Sequence, residues 1–211
     1  MQSLVETPVG TARVTRFAAK QPKALVVLGH GAGGGIEAAD LQALAAGLPA
    51  VGFSVVLIEQ PWRVAGKKVA PAPKTLDAGW LPVLEELAKD GLPLVVGGRS
   101  AGARVACRTA VQTGASAVLA LSFPLHPPGR PERSRAQELT ESGRPTLVLQ
   151  GAADTFGTPE EFPELPERHR LVAVPYGNHS FAVPKRAPYT PAEAMALITG
   201  TAGDWLGELF G

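Results

Sequence analysis

A chain of 211 residues that is 45% hydrophobic and 18% charged holds the material for one compact core and is not a disordered polymer. Its formal charge of +1 is too balanced to imply nucleic acid or an anionic membrane surface as a partner. One cysteine excludes an intrachain disulfide and a multi-cysteine zinc site, four histidines leave little for a histidine-rich metal centre, and no apolar run reaches the ~18 residues of a membrane span.

The opening MQSLVETPVGTARVTRF lacks a basic start followed by an apolar stretch. It is therefore not read as a signal peptide, and a cytoplasmic location is the expectation. Residues 11–18 alternate in part and predict an antiparallel edge strand. Six apolar runs follow, at residues 24–29, 53–58, 92–97, 117–121, 146–149 and 171–174. Most are apolar at consecutive positions, as strands covered on both faces of a parallel sheet require. Between the first two runs, residues 38–48 space Leu41, Leu44, Ala45 and Leu48 as one face of a helix. Residues 76–89 put Leu76, Trp80, Leu84 and Leu87 on one stripe, with Thr75 as the expected N-cap, Asp77 near the positive end and Gly91 as a left-handed stop. A further helix is expected over residues 101–111. The last one opens on Thr190-Pro191-Ala192-Glu193, a capping box with proline at the first helical position, and runs to about Leu209. Residues 63–74 and 124–133 are proline-containing loops. There is no internal repeat and no dividing linker, so residues 1–211 are read as a single α/β domain with a mostly parallel central sheet and helices on both faces.

Gly98-Arg99-Ser100-Ala101-Gly102 matches G-x-S-x-G directly after the run 92–97 and directly before a helical segment. That strand–turn–helix setting is what a nucleophile elbow requires; without it the same residues would be an ordinary glycine-rich turn with an N-cap serine. A serine hydroxyl needs a base in contact, and the base needs an orienting acid. Asp154 lies just past the run 146–149, and His179 just past the run 171–174, so all three sit beyond the carboxyl ends of strands in the order Ser, acid, His. The glycine loop Gly29-His30-Gly31-Ala32-Gly33-Gly34-Gly35 follows the first run. Its Ala32 amide, with that of Ala101, is the expected pair of oxyanion donors. It lacks the Lys-Ser/Thr ending of a phosphate-binding P-loop, so no nucleotide is expected.

Gly31, Trp62, Arg99 and His126 are candidate pocket residues. Trp62 would wall the pocket or simply pack, and His126 would border it or serve a surface loop. Arg99 would face the pocket and meet an acidic substrate group, or pair with a surface carboxylate. His30 is expected to make a structural hydrogen bond, and Cys107, two turns beyond Ser100, to pack in the core.

Several stretches together resemble the alpha/beta-hydrolase superfamily, from about Ala24 to Leu209. They are His30-Gly31-Ala32-Gly33-Gly34, Glu59-Gln60-Pro61-Trp62-Arg63, Gly97-Gly98-Arg99-Ser100-Ala101-Gly102-Ala103-Arg104, Phe123-Pro124-Leu125-His126-Pro127-Pro128-Gly129 and Asp154-Thr155-Phe156-Gly157-Thr158. More narrowly, they are similar to a small dienelactone-hydrolase-like branch that includes a testis-expressed mammalian protein and a subunit of the NSL histone acetyltransferase complex. The resemblance implies a three-layer alpha/beta-hydrolase fold with Ser100 as nucleophile, Asp154 as acid and His179 as base. Only about twenty residues separate Phe123 from Pro145, which leaves no room for a helical lid. The implied activity is hydrolysis of a carboxylic ester or thioester of a small molecule, with no cofactor and no metal. A non-catalytic binding or scaffold protein and a serine peptidase are the alternatives. Neither the physiological substrate nor the oligomeric state is legible.

Overall fold

The computed structural model describes residues 1–211. Its sheet has eight strands: β1 (Gln2–Thr7), β2 (Gly10–Phe17), β3 (Ala24–Gly29), β4 (Phe53–Glu59), β5 (Leu94–Arg99), β6 (Ala117–Leu121), β7 (Thr146–Gly151) and β8 (His169–Val174). They lie in the order β1-β2-β4-β3-β5-β6-β7-β8. β1 and β2 pair antiparallel, as do β2 and β4, and every other pair is parallel. The helices are α1 (Ala39–Gly47), α2 (Pro61–Val64), α3 (Pro73–Ala88), α4 (Ala101–Thr109), α5 (Ala136–Thr140) and α6 (Pro191–Phe210).

The consecutive apolar positions are explained by two cores, one on each face. Val27, Val96 and Val118 pack under Trp80 and Leu84 of α3 and Ala103 and Ala106 of α4. Their neighbours Val26, Val95 and Leu119 face the opposite layer, under Leu41 and Leu44 of α1 and Ile198 and Trp205 of α6. Because side chains alternate across a strand, each residue of β3, β6 and β7 finds an apolar layer, and all are buried. Each fully buried aliphatic side chain is worth about 1.5–3 kcal/mol. That burial holds the carboxyl ends of the parallel strands as a fixed rim for the loops that follow.

Several boundaries differ from the sequence reading. β2 is not the edge strand: β1 covers it, joined through a turn in which Gly10 has φ +116°. β1 escapes a pattern search because none of its residues is buried. α3 begins at Pro73, whose fixed φ suits a first turn, so Thr75 lies inside the helix and is not the cap. Asp77 consequently leaves the first turn and pairs with Arg108 of α4 at 2.6 Å. The proline-rich segment after β6 carries only a 3-10 turn (Pro131–Arg133) and the five-residue α5, so no cap domain rises over the sheet. α6 has the expected box: Glu193 N–H donates to Thr190 Oγ1 at 3.1 Å and Thr190 N–H to Glu193 Oε2 at 2.7 Å. No helix is long and apolar enough to cross a membrane.

Candidate active site

Ser100 sits between β5 and α4 with φ 53° and ψ −110°, a conformation an L-residue seldom adopts. Such strain costs on the order of 1–3 kcal/mol and persists only where the surroundings enforce it. Here Ser100 N–H donates to Leu121 O of β6 at 2.9 Å, which ties the turn to the neighbouring strand. Gly98, at φ +152°, and Gly102 bring the turn against β3, and a Cβ on either would overlap the Gly29 carbonyl. This is why the elbow contains glycine on both sides of its serine.

The loops after β7 and β8 bring two more groups to the same rim. Asp154 is 1% exposed. Its Oδ1 accepts from Phe156 N–H at 2.8 Å, and its Oδ2 accepts from Gln150 Nε2 at 2.9 Å. His179 Nδ1 lies 2.8 Å from the same Oδ2, and Nε2 lies 2.9 Å from Ser100 Oγ. In the neutral tautomer that this arrangement selects, Nδ1–H donates to Asp154 and Nε2 accepts from the hydroxyl. The Phe156 ring stacks on the imidazole, with centroids 4.1 Å apart and planes at 27°. The chain segments bearing Ser100, Asp154 and His179 thus meet in one continuous hydrogen-bonded line.

A second network fixes the histidine loop. Arg99 Nη2 donates to the backbone carbonyl of His179 at 2.7 Å. Behind it, Arg99 Nε lies 3.3 Å from Asp40 Oδ2 at the start of α1, with side-chain exposures of 12% and 1%. Neither of these two atoms makes a hydrogen bond, so their contact is a buried ion pair rather than a hydrogen bond. Burial pushes the Asp40 carboxyl above its ordinary pKa, and Arg99 opposes that rise.

The fold that carries this site is shared with known proteins. Residues 22–207 fit the model of a family described as an alpha/beta hydrolase domain. The chain belongs to the alpha/beta hydrolase family. A serine hydrolase homologue from Coxiella burnetii superposes with a TM-score of 0.76 at 16% identity, over 95% of this chain and 96% of that one. A serine hydrolase without a lid from Xanthomonas campestris gives 0.75 at 19%, over 97% and 94%. A dienelactone hydrolase from Anabaena variabilis gives 0.76 at 18%, over 100% and 99%. At those identities the structures share the fold, and a search of curated proteins finds no significant match.

In this alpha/beta hydrolase a cavity of about 390 Å³ opens beside Ser100, with Gly31, Ala32, Arg99 and Ala101 on its wall. Ala101 is the first residue of α4, so its N–H has no acceptor within the helix. His30 braces the glycine loop: Nδ1 lies 2.8 Å from Gly31 O, and Nε2 accepts from Gln60 N–H at 3.1 Å. Burial lowers its pKa, which favours that neutral bridging form.

Two candidate pocket residues lie elsewhere. Trp62 does not line the Ser100 cavity. Pro61 starts α2 one residue past the end of β4 and turns the indole beneath the loop, 5.5 Å from the His30 ring and beside a separate cavity of about 270 Å³. His126 is also absent from the wall; it is buried, with its ring nitrogens facing Pro127 O at 2.9 Å and Glu161 Oε1 at 3.1 Å. Arg99 does pair with a carboxylate, but a buried one, and it also borders the cavity. Cys107 is buried and its thiol is pushed up to about 12 by burial, which suits packing rather than nucleophilic chemistry. No group of three or more His, Cys, Asp or Glu is placed to hold a metal ion. Sequence reasoning did not find Asp40, Phe156, Arg104 and Arg135 as parts of the site. Only the tertiary fold brings them there.

Proposed function

We propose that this protein is a serine hydrolase of carboxylic esters or thioesters, with Ser100 as nucleophile, His179 as base and Asp154 as orienting acid. The observation that carries the reading is the paired contact of one imidazole with Ser100 Oγ and Asp154 Oδ2, at 2.9 and 2.8 Å, on a strained elbow. Ser100 Oγ attacks the acyl carbon as its proton passes to His179 Nε2. The Ala32 and Ala101 amides receive the oxyanion, and the buried carboxylate of Asp154 stabilises the imidazolium. Collapse of the tetrahedral intermediate breaks the bond to the leaving alcohol or thiol, which takes the proton from His179. Water then attacks the acyl-Ser100 ester with the same base, releasing the acid and restoring the hydroxyl. The small insertion after β6 leaves the serine open to solvent, which favours small substrates over those needing a lid.

In the test, wild type and Ser100→Ala are compared on p-nitrophenyl acetate. Turnover by wild type and none above background in the folded variant supports the assignment. Equal turnover refutes it.

A further inference from the structure

Three guanidinium groups border the Ser100 cavity, from Arg99, Arg104 and Arg135, and no aspartate or glutamate lines it. Two of them are balanced. Arg99 faces Asp40, and Arg104 is held at both Nε and Nη2 by Glu138, each at 2.6 Å. Glu138 is further shared with Arg108 at 3.2 Å, and Arg108 is itself bonded to Asp77 at 2.6 Å. The cluster of Arg104, Arg108 and Arg135 therefore sets three positive charges against the two of Asp77 and Glu138.

The uncompensated one is Arg135. Its only side-chain bond runs from Nη1 to Pro124 O at 3.2 Å, which leaves most of its five donors without a protein acceptor. Its backbone is held in place, with the N–H donating to Leu125 O at 2.7 Å. Burial and then the charge of Arg104 hold the guanidinium below its ordinary pKa, with Glu138 opposing them only in part. Planar forks of this kind bind carboxylate and phosphate oxygens.

We propose that the substrate carries an anionic group, a carboxylate or a phosphate, and that Arg135 binds it at the rim of the Ser100 cavity, beside the already satisfied Arg104. The inference rests on the hydrolase reading for the reaction, but the binding site stands on the charge balance alone. Arg135 is a specificity-determining residue, and the ester bond is broken as described above.

Two matched pairs of esters separate the sources of the anion. p-Nitrophenyl hemiglutarate against p-nitrophenyl pentanoate puts a carboxylate on the acyl side. Butyryl-coenzyme A against S-butyryl-N-acetylcysteamine puts phosphates on the leaving-group side. In at least one pair the anionic member should have a kcat/KM about tenfold or more above the neutral one, the worth of a charged hydrogen bond. That ratio should collapse in Arg135→Gln and survive in Arg170→Gln, whose arginine pairs with Glu208 on the exposed surface. No preference in either pair, or a preference unchanged in Arg135→Gln, overturns the proposal. Should no ester be hydrolysed, the hydrolase reading fails by itself, and binding still decides. Calorimetry of monomethyl glutarate and of coenzyme A with Ser100→Ala should give, for one of them, a Kd about tenfold or more tighter than with Ser100→Ala/Arg135→Gln. Equal affinities, or no binding of either, overturn the inference.

Discussion

Arg99 occupies the variable position before the serine of the elbow, and its side chain reaches back to the carbonyl of His179. It thereby couples the elbow to the loop that carries the base. Lysine at this position keeps a charge near Asp40 but loses the bond to His179 O. Arg99→Lys should therefore lower kcat on p-nitrophenyl acetate by about tenfold or more with little change in KM, because misplacing a base affects the chemical step. Arg99→Met should in addition lower the melting temperature sharply, since it leaves the buried Asp40 unpaired, a loss on the order of 3–5 kcal/mol. A kcat unchanged in Arg99→Lys would show that His179 is positioned without it. The positions of Ser100, Asp154 and His179 were legible because each follows an apolar run by a few residues, and strand ends of a parallel sheet share a rim. Asp40 and Arg135 were not, because each owes its place to packing between segments distant in sequence. Trp62 and His126 show the converse: closeness to a strand end along the chain did not bring either ring to the cavity.

At the level of elements, the contact of β5, α4 and β3 depends on two missing side chains. Gly102→Ala places a methyl group against the Gly29 carbonyl, where backbone rather than a flexible side chain must yield. It should destabilise the fold by about 1–3 kcal/mol and disturb the elbow together with it. Gly200→Ala in the middle of α6 meets no neighbouring atom and should instead stabilise by roughly 0.5–1 kcal/mol through helix propensity. Thermal melts of the two variants check the contrast, and a neutral Gly102→Ala would contradict the account of the elbow. Central strands and α6 were readable from apolar continuity and from a capping box, both local signals. The start of α3 is ambiguous in the sequence because Pro73 and Thr75 both suit a helix start, and β1 gives no pattern because it buries nothing by itself.

The molecule as a whole carries histidines whose burial couples stability to pH. His30 and His169 both have pKa values lowered from 6.5, each chiefly by burial. Below that value the unfolded chain binds protons that the folded protein does not, so stability is fully present above it and is lost as pH falls. The melting temperature should decline from about pH 7 to about pH 5, and His30→Gln should flatten the decline. A melting temperature constant over that range would contradict the assignment of His30 as a neutral bridge.

The proposed chemistry requires Ser100 to be an activated nucleophile. Intact-mass measurement after exposure to a fluorophosphonate tests this most directly, since such a probe reacts covalently with a serine only when a base withdraws its proton. A single adduct on wild type, mapped to the peptide containing Ser100 and lost in folded Ser100→Ala, is the predicted result. A folded wild type that takes up no adduct, or an adduct that persists in the variant, would contradict it.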